Sequence, residues 1–158
     1  MKPGSGHSTI ELLGGTLLLR GQYRVDRPLS QGGFGITYLA HDSLNREVVI
    51  KECFPRDFCT RRNGTVHTCS AEAEKGFAYI LHQFKQEACL LAGLEHPNIV
   101  RVHQVFEDYG TAFLAMDFVH GTDLLTVAEN APERLAAENL RQVLNEALEA
   151  IGYTHGQG

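Results

Sequence analysis

The chain has 158 residues, 43% of them hydrophobic, and a formal net charge of −5. That length suits one domain with its own core. The acidic balance argues against nucleic acid or an anionic membrane surface as a main partner, and no run approaches the ~18 apolar residues of a membrane span.

The first residues, MKPGSGHS, lack the apolar region of a signal peptide. The apolar stretch Leu12 to Leu19 is short and broken by Gly14-Gly15. Residues 1–22 are therefore expected to form a flexible leader, and the cytoplasm is the expected location.

Tyr23 to Leu29 and Ile36 to His41 carry β-branched and aromatic residues and read as strands on either side of a glycine cluster. Between them lie Gly32, Gly33 and Gly35, where the chain must bend and expose its backbone. Glycine tolerates positive φ and lets N–H groups approach a phosphate, and Phe34 at the tip would form a lid. A polar turn, Asp42 to Asn45, leads to a third strand, Glu47 to Cys53. That strand puts Lys51 on a sheet face shared with the loop, where an ammonium can meet phosphate oxygens as a compact charge.

A dinucleotide fingerprint needs a helix directly after the glycines, and here a strand follows. A Walker A loop needs a closing Lys-Ser/Thr pair, which is missing. Strand, glycine loop, strand and a lysine on the third strand is the pattern that remains, and it belongs to protein kinases.

The chain resembles the eukaryotic-like (Hanks-type) serine/threonine protein kinases, most closely their bacterial branch. QGGFGITYLA, VVIKECFP, FKQEACLLAGLEHPNIVRV and GTAFLAMDFVHGTDL occur in the order of that family's N-terminal lobe. The implied fold is α+β: a five-stranded antiparallel sheet with one long helix, plus the first helices of the C-lobe. The implied domains are 23–120 for the N-lobe and 121–158 for the start of a truncated C-lobe with two helices.

The resemblance implies ATP as ligand, with Mg²⁺ in the parent enzyme. It points to Leu29, Ser30, Gly32, Gly33, Phe34, Gly35 and Thr37 around the glycine loop, and to Val49 and Lys51 on the third strand. Glu87 matches the helix glutamate that pairs with the lysine. Independently, Phe77, Ile80, Leu81, Phe84, Ala88 and Leu91 recur at helical spacing and define one apolar face, with Glu87 at its edge. Ile99 to Phe106 and Thr111 to Met116 read as strands four and five. Met116, Asp117 and Val119 resemble the linker that meets the adenine, with Met116 limiting the depth of its pocket. Asp123 resembles the acidic position near the ribose, although an acidic helix N-cap explains it nearly as well.

Three departures stand out. Ser30 replaces the loop's first glycine, which should weaken rather than abolish binding. Val49 replaces a small alanine, and overpacking costs about 1–3 kcal/mol unless neighbours relax. No His-Arg-Asp or Asp-Phe-Gly segment follows Tyr153 to Gly158, which resemble the end of the helix before the catalytic loop. No catalytic or metal-binding residue is therefore expected within the fragment, which reads as a piece of a longer kinase, inactive alone.

Four cysteines are present. Cys59, His67 and Cys69 fall in the stretch 55–70, which is long for a loop. Without a Cys-x₂-Cys pair, unpaired thiols are favoured over zinc. Cys89 is expected to pack on the helix, and His96 resembles a structural His-Pro-Asn turn. A helix from Pro132 to about His155 carries Leu140, Val143, Leu144, Ala147, Leu148 and Ile151 along one stripe, which is expected to be covered by a dimer contact, a swapped helix or irregular packing on the small lobe. The leading function is the ATP-binding lobe of a serine/threonine kinase with a protein substrate. The alternative is a pseudokinase or interaction module.

Overall fold

In the computed structural model of the chain, residues 10–157 are described; residues 1–9 and 158 lie outside the described residues. Contacts divide the chain into two units, one of residues up to 92 together with 102–118, the other of 93–101 and 119 onward.

The first unit is built on a six-stranded antiparallel sheet. Its strands are β1 (Leu17–Leu18), β2 (Tyr23–Gln31), β3 (Gly35–Asp42), β4 (Glu47–Cys53), β7 (Val102–Asp108) and β8 (Thr111–Asp117), in the spatial order β1-β2-β3-β4-β8-β7. Five of them are the expected strands, each within a few residues of its expected bounds. Strand alternation puts Val25, Tyr38, Ala40, Val48, Ile50, Phe113 and Ala115 into the core, all of them buried.

The expectation of a flexible leader is corrected at residues 10–22. Leu12 and Leu18 are buried in the main core, and β1 pairs with β2, Leu17 opposite Arg24 and Leu18 opposite Tyr23. After β1 the chain turns through Leu19, Arg20 and Gly21, all at positive φ. This turn carries it to the far edge of the sheet. Leu19 N–H donates to Asp108 Oδ2 at 2.9 Å, Tyr109 O–H donates to Leu17 O at 3.1 Å, and Gln22 Nε2 donates to Gln104 Oε1 at 2.9 Å. Tyr23 stacks on Phe106 at 5.6 Å between centroids. The turn after β1 and the start of β2 thus reach across to β7, the opposite edge strand of the sheet. A run of leucines broken by two glycines gave no periodicity from which to read this.

The stretch 55–70 is a hairpin rather than a loop, with β5 (Cys59–Arg62) and β6 (Thr65–Thr68) joined at Asn63-Gly64. Both turn residues have positive φ, 51° and 83°, as a tight hairpin turn requires. The long helix α1 (Ala71–Ala92) follows and packs on β6, β4, β7 and β8. Ser70 caps its start, accepting from Ala73 N–H at 3.2 Å. Of its expected apolar face, Phe77 and Ala88 are buried, and Ile80, Leu81, Phe84 and Leu91 are partly so. Cys89 is corrected: it is exposed on the outer face of α1.

The second unit contains α2 (Leu124–Asn130) and α3 (Ala137–His155). The expected helix start at Pro132 is corrected. Residues Pro132–Leu135 form a separate 3₁₀ turn, and Ala136 is extended, with φ −52° and ψ 149°, which breaks the helix before α3. The His-Pro-Asn turn sits on α3: Glu95 N–H donates to Tyr153 Oη at 3.1 Å, Asn98 Nδ2 donates to Glu146 O at 3.1 Å, and the His96 and Tyr153 rings lie 5.2 Å apart. Leu144, Leu148 and Ile151 are exposed.

Candidate nucleotide site

A cavity of about 500 Å³ opens between the β2–β3 loop, the face of β4 and helix α1. Strand register builds its floor. Thr37 stands between Ser30 on β2 and Lys51 on β4, and Gly35 stands opposite Cys53. Alternation then sends Lys51 and Cys53 to the same face. Ile80, Gln83, Phe84 and Glu87, at i, i+3, i+4 and i+7 of α1, supply the far wall.

The glycines act through space rather than through φ, since none of Gly32, Gly33 and Gly35 adopts a left-handed conformation. A Cβ on Gly35 would lie 2.5 Å from Glu52 O, so β4 can approach only a glycine there. Above Gly33 nothing lies within 4 Å. This leaves an uncovered stretch of backbone facing the cavity. Gly32 N–H donates to Gly35 O at 2.9 Å and closes the turn, while Phe54 N–H donates to Phe34 O at 3.0 Å and ties the tip to the chain after β4. The Phe34 side chain is exposed.

Lys51 supplies the positive charge. Its Nζ lies 6.0 Å from the centroid of the Phe84 ring. No ion pair joins Lys51 to Glu87 among the described residues, although both line the cavity. The Cys53 thiol beside Lys51 is pushed up to about 11, chiefly by burial and then by the Glu52 carboxylate, so it stays neutral. All four cysteines are free. Among the described residues no group of three or more His, Cys, Asp or Glu side chains could hold a metal ion.

The structure therefore gathers Ser30, Gly32, Gly33, Phe34, Gly35, Thr37, Lys51 and Glu87 around one cavity. Leu29, Val49, Met116 and Asp117 belong to the same sheet but lie outside that lining. Val49 is half-buried and directly opposite Met116. Asp117 Oδ1 lies 2.7 Å from His103 Nε2. Val119 and Asp123 belong to the second unit. Asp123 caps α2, accepting from Thr126 N–H at 2.8 Å, and that bond holds its carboxyl below the usual range. Cys53, Ile80, Gln83 and Phe84 are wall residues that sequence reasoning missed as such. Cys53 was readable from its two-residue spacing to Lys51, and Gln83 from its position one turn before Glu87.

The sequence profile of the protein kinase domain matches residues 23–158. The chain belongs to the protein kinase domain family. Curated kinase relatives include the serine/threonine-protein kinase pkn2 of Myxococcus xanthus, 38% identical over 140 residues, covering 86% of this chain and 15% of the relative. The serine/threonine-protein kinase PknJ of Mycobacterium tuberculosis is 33% identical over 139 residues, covering 86% of this chain and 20% of its own. Among solved structures, the apo form of PpkA aligns with a TM-score of 0.73 and 31% identity over 80% of this chain and 45% of that one. The PknI kinase domain of Mycobacterium tuberculosis aligns with a TM-score of 0.66 at 23% identity over 94% of this chain and 53% of that one, a likeness of fold. The expected resemblance to bacterial Hanks-type kinases and the kinase-lobe fold both hold. This kinase chain spans about half of the solved domains and a smaller part of the curated relatives it matches.

Proposed function

We propose that this chain is the ATP-binding lobe of a serine/threonine protein kinase whose parent transfers the γ-phosphoryl group of ATP to protein hydroxyls. The observation that carries the reading is the cavity itself. An uncovered glycine backbone at Gly33 and the Lys51 ammonium line one space of about 500 Å³, which suits a polyphosphate. ATP fits the donor set. Mg²⁺ would come with the phosphates and with ligands outside these residues, because the catalytic-loop aspartate and asparagine and the second metal-binding aspartate are not among them. The 158 residues alone should bind nucleotide weakly and turn none over.

Titration of the chain with MgADP or MgATP, followed by amide resonances, tests this. Shifts clustered at Gly32, Gly33, Gly35 and Lys51 are expected; their absence at millimolar nucleotide overturns the reading. Low-micromolar affinity by calorimetry would overturn the expectation of weakness.

A second reading, a pseudokinase or interaction module, draws on the unmade Lys51–Glu87 pair and on Ser30. A chain reaching past Gly158 that phosphorylates a generic acceptor protein would eliminate it. The proposed address is cytoplasmic, and no described helix is long and apolar enough to cross a membrane. The exposed stripe of α3 is a proposed contact with a second copy, which light scattering would show as a doubled mass.

A further inference from the structure

We infer that the segment Phe54–Ser70, centred on the β5–β6 hairpin, is a brace that positions all three walls of the cavity, with Phe58 against Gly76 setting where α1 stands. The inference rests on the reading of the cavity as a nucleotide site. Each wall has its own attachment to this one segment. The glycine loop is held at its tip by the bond from Phe54 N–H to Phe34 O, 3.0 Å. Strand β4 is held by the buried pair of Arg61 and Glu52, the residue next to Lys51. Helix α1 is held where the Phe58 ring lies directly over Gly76, leaving no room there for even a methyl group.

The brace is itself fixed. Pro55 is fully buried at its root, and Pro55 O accepts from both Phe58 N–H and Cys59 N–H, at 3.0 and 3.1 Å. Phe58 O accepts from Cys69 N–H at 2.9 Å, so the ring is carried on a closed hairpin base. At the other end Val66 N–H donates to Tyr109 O at 2.7 Å and fastens the hairpin to the β7–β8 turn. Gly76 lies 11 residues before Glu87 on the same helix. Close-packed interiors transmit such displacements rather than absorb them, so the Phe58–Gly76 contact sets the gap between Glu87 and Lys51.

Gly76→Ala, Phe58→Leu and the double variant Gly76→Ala/Phe58→Ala test this in the 158-residue chain, through amide resonances, thermal melting and MgADP titration. Gly76→Ala is expected to move the resonances of Lys51 and Glu87 as well as those beside the substitution, and to weaken MgADP several-fold. Removing the ring in the double variant should return both resonances and the affinity towards those of the unsubstituted chain. A fall in melting temperature with Lys51 and Glu87 unmoved, or a double variant that rescues neither, overturns the brace. Should Gly76→Ala fail to fold, Phe58→Leu carries the same comparison, with shifts at Lys51 and Glu87 expected and shifts confined to the hairpin overturning it. If the unsubstituted chain binds no nucleotide, the proposed site falls, while the resonance comparison still decides the brace.

Discussion

Arg61 on the hairpin places its Nη2 2.5 Å from Glu52 Oε1, with both side chains almost completely buried. Both members have further hydrogen-bond partners. Tyr38 O–H donates to Glu52 Oε2 at 2.7 Å, and Arg61 donates to Ile10 O and Gly64 O, each at 2.7 Å. Leu12 N–H donates to Tyr38 Oη at 3.1 Å, so the N-terminal segment closes the same network. Burial pushes the Glu52 carboxyl upward, while the Arg61 guanidinium pulls against it.

Removing one partner should cost much more than removing both. Arg61→Met would leave a buried carboxylate without its cation, a loss of about 3–5 kcal/mol. Glu52→Gln/Arg61→Met should recover part of this in urea denaturation. The pH dependence has a definite sign. Without Arg61, burial of Glu52 is opposed only by the Tyr38 hydrogen bond, and its folded-state pKa rises further above the ordinary value of 4.5. Its contribution is then present below that value and lost as pH rises through the folded one, so the single variant should lose stability from about pH 4.5 upward.

Gly35→Ala should disturb the fold at one point, because the new methyl meets Glu52 O at 2.5 Å. Overpacking of this kind costs about 1–3 kcal/mol. Gly33→Ala meets nothing within 4 Å and should melt like the unsubstituted chain, yet bind nucleotide more weakly because it covers backbone that the phosphates need. Thermal melts and MgADP titrations of the two variants separate these effects.

Lys51→Met should abolish the nucleotide response while leaving the melt intact. Lys51 is only partly buried and is in no ion pair among the described residues, and a methionine stem can still rest on Phe84. Equal resonance shifts with MgADP in the variant and the unsubstituted chain would remove Lys51 from the site.

Leu18→Ala should cost about 2–5 kcal/mol, the range for a leucine truncated in a core, since Leu18 is fully buried. Leu17→Ala, one residue away and 54% exposed, should cost far less. Urea midpoints of the pair make the comparison.

What could be read in advance followed the strength of local patterns. Strands β2, β3 and β4 announce themselves through β-branched residues on either side of the glycines, and α1 through its apolar spacing. The hairpin does not. Its strands, Cys59–Arg62 and Thr65–Thr68, carry arginine, threonine and histidine in place of an apolar alternation; only Asn63-Gly64 marks the turn. The Arg61–Glu52 pair joins residues that no spacing rule connects. Within the site, the floor was legible because register follows from strand alternation. The Lys51–Glu87 separation was not, because it depends on how a helix sits over a sheet, which Phe58 and Gly76 decide at a distance.

The packing of residues 10–22 against the sheet also bears on where this molecule should be cut. The protein kinase domain profile starts at Tyr23, a natural place to begin a recombinant protein. The packing disagrees, because Leu12 and Leu18 are part of the main core and Ile10 O accepts from the buried Arg61 guanidinium. A clone begun at Tyr23 would open a seam down the lobe, and insoluble product from it would reflect a misplaced boundary and not an unstable protein.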